Sequence, residues 1–295
     1  MLTPFTIKDE VDFTALDKMI DWYVSSGVSG LFAVCQSSEM FFLSLDERVK
    51  LARHIKERAQ VPVIASGHVS NEPSCQIDEL CAIAETGVDA LILVVNRLAT
   101  KDESDEVLTG RLRVLMKKLP SEMPLGIYEC PYPYKRLLSP ALVRKIAQSD
   151  RFFFYKDTCG EIEQIRAKLD AMRGTNLKMY NANTATLVMS LENGAAGYSG
   201  VMANFHPELY AWLCDNYQSD EAQKVSDVLT LCALIERQLY PINAKFSMKC
   251  NGLDLEITSR ANDQKEFIPL FAEETLALIR TTKQIKKLIK MEETS

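Results

Sequence analysis

The chain has 295 residues, 47% of them apolar, and a formal net charge of −6. That is enough apolar material for one large α/β barrel or two ordinary domains. The acidic balance, with no basic stripe interleaved with aromatics, argues against a nucleic-acid partner, and no apolar run reaches the roughly 18 residues of a membrane span.

Hydrophobic periodicity alternates along the chain. Residues 12–26 place Phe13, Leu16, Met19, Ile20 and Tyr23 on one helical face and stop at Gly27. Gly30 to Val34 is a short strand. Residues 46–59 form a helix, with Ser44 as cap and Glu47 three residues later, a capping-box spacing. A strand follows at 61–65, a helix at 72–86, a strand at 89–95 and a helix at 103–119 that Pro120 ends. Next come a strand at 125–128 and a helix at 139–148 with Pro140 at its first position. The remaining units are strand 151–156, helix 161–173, strand 177–180, helix 183–193 and strand 196–199. Helices fill the rest, the clearest being 224–240 and 267–289.

These βα units of roughly 25–30 residues predict a parallel sheet. No GxGxxG turn follows the first strand, which weakens a dinucleotide-binding fold. Eight units favour a (β/α)8 TIM barrel over residues 1–203, with a C-terminal helical extension over 204–295 and no linker between them. Only Met1-Leu2-Thr3-Pro4-Phe5 is available for the first strand, so that strand is expected to be short.

In such barrels chemistry gathers at the C-terminal ends of the strands. The run Phe152-Phe153-Phe154-Tyr155 ends on Lys156, followed by Asp157-Thr158-Cys159-Gly160. A short aromatic run suits a strand buried on both faces. A lysine at its end either snorkels to solvent or pairs with Asp157, or it is a desolvated amine able to attack a carbonyl. Tyr128 ends the preceding strand, one βα unit away. Alone it reads as a core aromatic; beside Lys156 it is a proton shuttle for carbonyl chemistry. Eight cysteines without a CxxC pair, and three histidines without ligand spacing, point to reduced thiols in a cytoplasmic protein with no metal site. Cys35, Cys130 and Cys159, at strand ends, read as packing residues rather than a thiol cluster. Residues 1–25 have charges where a signal peptide has its apolar segment.

The pairing of Y-x-x-P (Tyr128, Pro131) with K-D-x-x-G (Lys156, Asp157, Gly160) resembles the dihydrodipicolinate synthase / N-acetylneuraminate lyase family of class I, pyruvate-dependent aldolases. The resemblance runs over essentially the whole chain. It implies Lys156 as Schiff-base lysine, Tyr128 as proton shuttle, and no metal or organic cofactor. The family's G-[ST]-T-G-E loop falls on Cys35-Gln36-Ser37-Ser38-Glu39, so Ser37 and Gln36 inherit the pyruvate carboxylate. Hydroxyl and amide donors at a helix-initiating turn suit an anion. The segment Gly197-Tyr198-Ser199-Gly200 puts Ser199 beside the pyruvate. Arg97 and Asn183 are the remaining candidates for substrate contact.

The chain also departs from the family. Cys35 and Ser38 replace both loop glycines. Val95-Asn96-Arg97-Leu98 stands where the family lends a relay tyrosine across a dimer interface. Pro133 stands where dihydrodipicolinate synthases carry the arginine for the aldehyde's carboxylate, with Lys135, Arg136 and Arg97 as possible substitutes. The leading expectation is an aldolase or lyase acting on pyruvate or a derived 2-oxo acid and an aldehyde, dihydrodipicolinate synthase-like but not a true dihydrodipicolinate synthase. The alternative is a non-catalytic 2-oxo-acid binding or sensing protein on the same barrel. The resemblance implies a homo-oligomer, dimer or tetramer.

Overall fold

The structure is a computed structural model that describes residues 1–291. Helix α1 (Phe13–Ser25) opens it, followed by β1 (Leu31–Phe32), α2 (Leu45–Arg58), β2 (Val63–Ala65), α3 (Pro73–Ala84), β3 (Ala90–Val94), α4 (Val95–Leu98), α5 (Asp105–Lys118), β4 (Leu125–Tyr128), α6 (Pro140–Ala147) and β5 (Phe152–Asp157). Then come α7 (Ile162–Ala171), β6 (Lys178–Asn181), α8 (Leu187–Glu192), β7 (Gly197–Tyr198), α9 (Pro207–Asn216), α10 (Ala222–Cys232), α11 (Ile242–Cys250) and α12 (Pro269–Leu288). Among the described residues seven parallel strands form one sheet in chain order.

The eighth strand expected at residues 1–5 is absent as a strand. The Met1 nitrogen donates to the Phe32 carbonyl at 2.8 Å, and Phe5 makes an isolated antiparallel bridge with Val11. Pro4 has no N–H for a ladder, so this stretch packs Leu2 and Phe5 into the core instead. The helix expected over 224–240 also ends early. It stops at Cys232, and a tighter 3-10 segment covers Ala233–Arg237.

Local chemistry accounts for the other boundaries. Ser44 accepts from the Glu47 amide at 3.2 Å while Glu47 accepts from the Ser44 amide at 2.8 Å, closing the capping box. Ser139 caps α6 ahead of Pro140. The all-apolar β3 is buried along its whole length, as a strand covered on both faces must be. β5 departs from that pattern: Phe153, near the strand's entry, is 43% exposed. Between β3 and β5, Gly126 lets Ile92 pack over the backbone, and a Cβ there would also lie 2.9 Å from the Phe154 carbonyl oxygen.

Candidate active site

Tyr128 and Lys156 are direct partners across β4 and β5. Strand alternation therefore turns both side chains to the same face. The Lys156 Nζ stands 4.7 Å from the centroid of the Tyr128 ring and 5.7 Å from that of Phe32. Lys156 is buried, and among the described residues it has no salt-bridge partner; Asp157 pairs elsewhere. Burial lowers the amine's pKa, with Cys35 and Cys130 acting in the opposite direction. Burial also holds the Tyr128 phenol well above its usual range, so it keeps its proton at neutral pH. An amine whose charge burial disfavours, beside a phenol that keeps its proton, is a pair suited to carbinolamine chemistry.

The turn after β1 faces the same pair. Gln36–Ser38 form a single 3-10 turn, in which the Cys35 amide donates to Ser38 Oγ at 2.8 Å. Ser38 is not in a left-handed conformation. Glu39, the residue after it, takes the left-handed conformation, at φ 60°. It is held there from the C-terminal part of the chain: Lys245 Nζ donates to it at 2.7 Å, Ser259 Oγ at 2.8 Å, and the amides of Arg260 and Ala261 at 2.7 and 2.9 Å. Gln36 Oε1 accepts from the Tyr128 hydroxyl at 3.4 Å.

Ser37, Ser199 and Lys156 line one cavity of about 380 Å³ with Tyr198 and Asn204. Tyr128, Gln36, Arg97 and Asn183 do not line it. Arg97 donates to Val69 O and Asn71 Oδ1 at 3.3 and 3.0 Å, and its guanidinium lies over Phe41. Asn183 packs against Gly160 and donates its amide to Asn181 Oδ1 at 2.8 Å. The other two candidate cations are also committed. Lys135 donates to the Thr158 carbonyl at 2.8 Å, and buried Arg136 serves the carbonyls of Thr100 and Glu103.

Sequence reasoning missed two groups. Behind the site, Glu129 and Asp157 follow Tyr128 and Lys156 and so point to the opposite face. Both meet Lys168, which reaches Glu129 Oε1 at 2.9 Å and Asp157 Oδ2 at 2.6 Å, while the Tyr155 hydroxyl donates to Glu129 at 2.6 Å. Burial opposes charge on Lys168, but the two carboxylates outweigh it and raise its pKa. Asp157 is held low by Lys168 against the opposing effect of burial. Glu129 is pushed up, first by burial and then by the Asp157 charge. Lys168 lies on α7, and the two carboxylates directly following Tyr128 and Lys156 were the available signal. The second group comes from the C-terminal region. Tyr240 meets the cavity wall from there, its hydroxyl accepting from Nδ2 of Asn204 at 2.9 Å. Among the described residues no cluster of three or more His, Cys, Asp or Glu is arranged to hold a metal, and no helix is long and apolar enough to cross a membrane.

The chain-ordered parallel sheet, wrapped by helices and continued by C-terminal ones, is a class I pyruvate-dependent aldolase-like fold. Residues 1–284 match the model of the dihydrodipicolinate synthetase family, and the chain belongs to that family. It is 28% identical over 206 residues to the 4-hydroxy-tetrahydrodipicolinate synthase of Oceanobacillus iheyensis, covering 69% of this chain and 68% of that one. The enzyme of the same name from Saccharophagus degradans is 24% identical over 270 residues, covering 88% and 90%. Among solved structures, a dihydrodipicolinate synthase from Bacillus anthracis superposes with a TM-score of 0.84 at 21% identity, covering 95% of both chains. A prophage protein of the family from E. coli K12, solved with pyruvate, does so at 0.82 and 20% identity, also over 95% of both chains. These structural likenesses establish the fold. Enzymes of this family work through a covalent lysine–pyruvate Schiff base without a metal or other cofactor.

Proposed function

We propose that this protein is a Schiff-base-forming class I aldolase or lyase acting on pyruvate or a pyruvate-derived 2-oxo acid and an aldehyde. The observation that carries the reading is Lys156, a buried amine with no carboxylate partner among the described residues, set over the ring of Tyr128. Lys156 attacks the ketone carbon, and Tyr128 passes protons as the carbinolamine forms and loses water. The resulting iminium draws electrons from the neighbouring carbon, which loses a proton to give an enamine. The enamine adds to the aldehyde carbonyl; in reverse, the same iminium accepts the electrons of the breaking C–C bond. Ser37 and Gln36 are assigned the carboxylate, and Ser199 the wall beside it.

We read the second substrate as different from that of a true dihydrodipicolinate synthase. Pro133 offers no cation where those enzymes place an arginine, and Lys135 and Arg136 are spent on backbone carbonyls. The fold we propose is a (β/α)8-type barrel over residues 1–203, in which residues 1–5 stand in for a regular eighth strand, with the C-terminal extension following. A homo-oligomer is the assembly the family favours, although one relative is described as a monomeric variant.

The test is to incubate the protein with pyruvate and borohydride and map the adduct by mass spectrometry. Reduction of an imine at Lys156 supports the proposal, and no adduct there sinks it. An adduct without turnover on a panel of aldehydes would favour a binding or sensing role.

A further inference from the structure

The sheet has an unclosed seam, and the chemistry above does not use it. β1 and β7 are the two ends of the sheet, and among the described strands they do not pair with each other. The cavity that Lys156 lines runs along this seam. Gly30 and Leu31 border it on the β1 side, Gly197 and Tyr198 on the β7 side. The turn after α1 and helix α9 meet at its outer rim, where a Cβ on Gly27 would lie 3.8 Å from that of Ala211.

The two ends of the cavity differ in chemistry. At the inner end Lys156 is 8% exposed and has no ion-pair partner among the described residues. Phe32 and Tyr180 line the cavity beside it. Tyr180 is the partner of Lys156 across β5 and β6 and stacks on Phe154 at 4.8 Å, so the inner end has an apolar floor. At the outer end Ser29 and Asp215 are exposed. Lys156 is the only basic side chain of the lining and Asp215 the only acidic one. An anionic group at the outer end would therefore meet a carboxylate and no cation. The volume, about 380 Å³, lies in the range that holds drug-sized ligands. At roughly 30 Å³ per water it has room for on the order of a dozen waters, and a three-carbon acid fills only part of it.

We propose that the seam between β1 and β7 holds the tail of a 2-oxo acid longer than pyruvate, with an unbranched and uncharged chain. The inference rests on the Schiff-base reading above and deepens it by naming the substrate class. With the keto carbon at Lys156 and the carboxylate at the Ser37 turn, the remaining chain has the seam as its free volume. The apolar floor suits its first carbons. The close approach of Gly27 and Ala211 at the rim favours an unbranched chain, and Asp215 disfavours a terminal carboxylate. On C–C cleavage the aldehyde half is the part that lies in the seam.

The test measures borohydride trapping at Lys156 against the concentration of pyruvate, 2-oxohexanoate and 2-oxoadipate. The last two have the same chain length and differ in a terminal carboxylate. 2-Oxohexanoate should half-saturate about tenfold or more below pyruvate, because its further carbons leave water. 2-Oxoadipate should lose most of that gain. Ala211→Leu narrows the seam at its rim and should bring the half-saturating concentrations of pyruvate and 2-oxohexanoate to within about threefold of each other. No adduct with any of the three acids means that the Schiff-base reading fails, and this inference with it. An adduct with pyruvate but no advantage for 2-oxohexanoate overturns this inference alone. So does an equal advantage for 2-oxoadipate, or a ratio that Ala211→Leu leaves unchanged. If Ala211→Leu does not fold, Ser29→Leu narrows the seam from the β1 side, and the same ratio decides.

Discussion

Replacing Lys168 by methionine tests the clamp behind the site. The side chain keeps its length and apolar stem and loses its charge. Lys168 is 1% exposed, and the side chains of Glu129 and Asp157 are fully buried. The substitution leaves two carboxylates side by side, away from water and without a cation. Removing one partner of a buried pair costs about 3–5 kcal/mol, a large share of the roughly 5–15 kcal/mol that holds a domain folded. The pH dependence gives the diagnosis. Without the lysine, burial and mutual repulsion raise both carboxyl pKa values in the folded state. A group raised on folding favours the folded state below its unfolded pKa and loses that contribution as pH rises through its folded pKa. The deficit against wild type should therefore be largest at about pH 7 and shrink towards about pH 5. Urea denaturation at both pH values measures it. Lys168→Met combined with Glu129→Gln and Asp157→Asn should recover most of the loss, since no unpaired charge is then buried. A deficit below about 1 kcal/mol, of the size exposed ion pairs give, would refute the reasoning. So would a deficit that does not change with pH.

Three further outcomes are expected. Because burial lowers the Lys156 pKa, the rate of pyruvate trapping should fall as pH drops through a midpoint clearly below the roughly 10.4 of an ordinary lysine; a midpoint at that value would contradict the burial argument. Gly126→Ala should destabilise by about 1–3 kcal/mol in thermal denaturation, because the new methyl meets Ile92 and the Phe154 backbone, and an unchanged midpoint would mean the strands move apart freely. Ser44→Ala opens the capping box of α2 and should cost about 1 kcal/mol by the same assay; a cost near zero would show that the cap adds little in this setting.

Much of the scaffold was legible in the sequence because its causes are local. Residue spacings of two and of three to four separate strands from helices. Ser44 with Glu47, and Ser139 with Pro140, mark helix starts through bonds that span three residues. The same reasoning put Tyr128 and Lys156 at the ends of neighbouring strands, since consecutive βα units pair in order, and the register joins those two residues. Tertiary structure decided whatever depends on groups with no spacing relation. Lys168 reads as one more polar residue on α7 until β4 and β5 bring two carboxylates to it. Tyr23 reads as the apolar face of α1, yet its hydroxyl meets Asn204, a residue 181 positions away. Arg97, Lys135 and Arg136 looked equally free, and only packing revealed which carbonyls they serve. A buried donor must find an acceptor wherever the chain supplies one, and a linear pattern carries no information about which distant segment that will be.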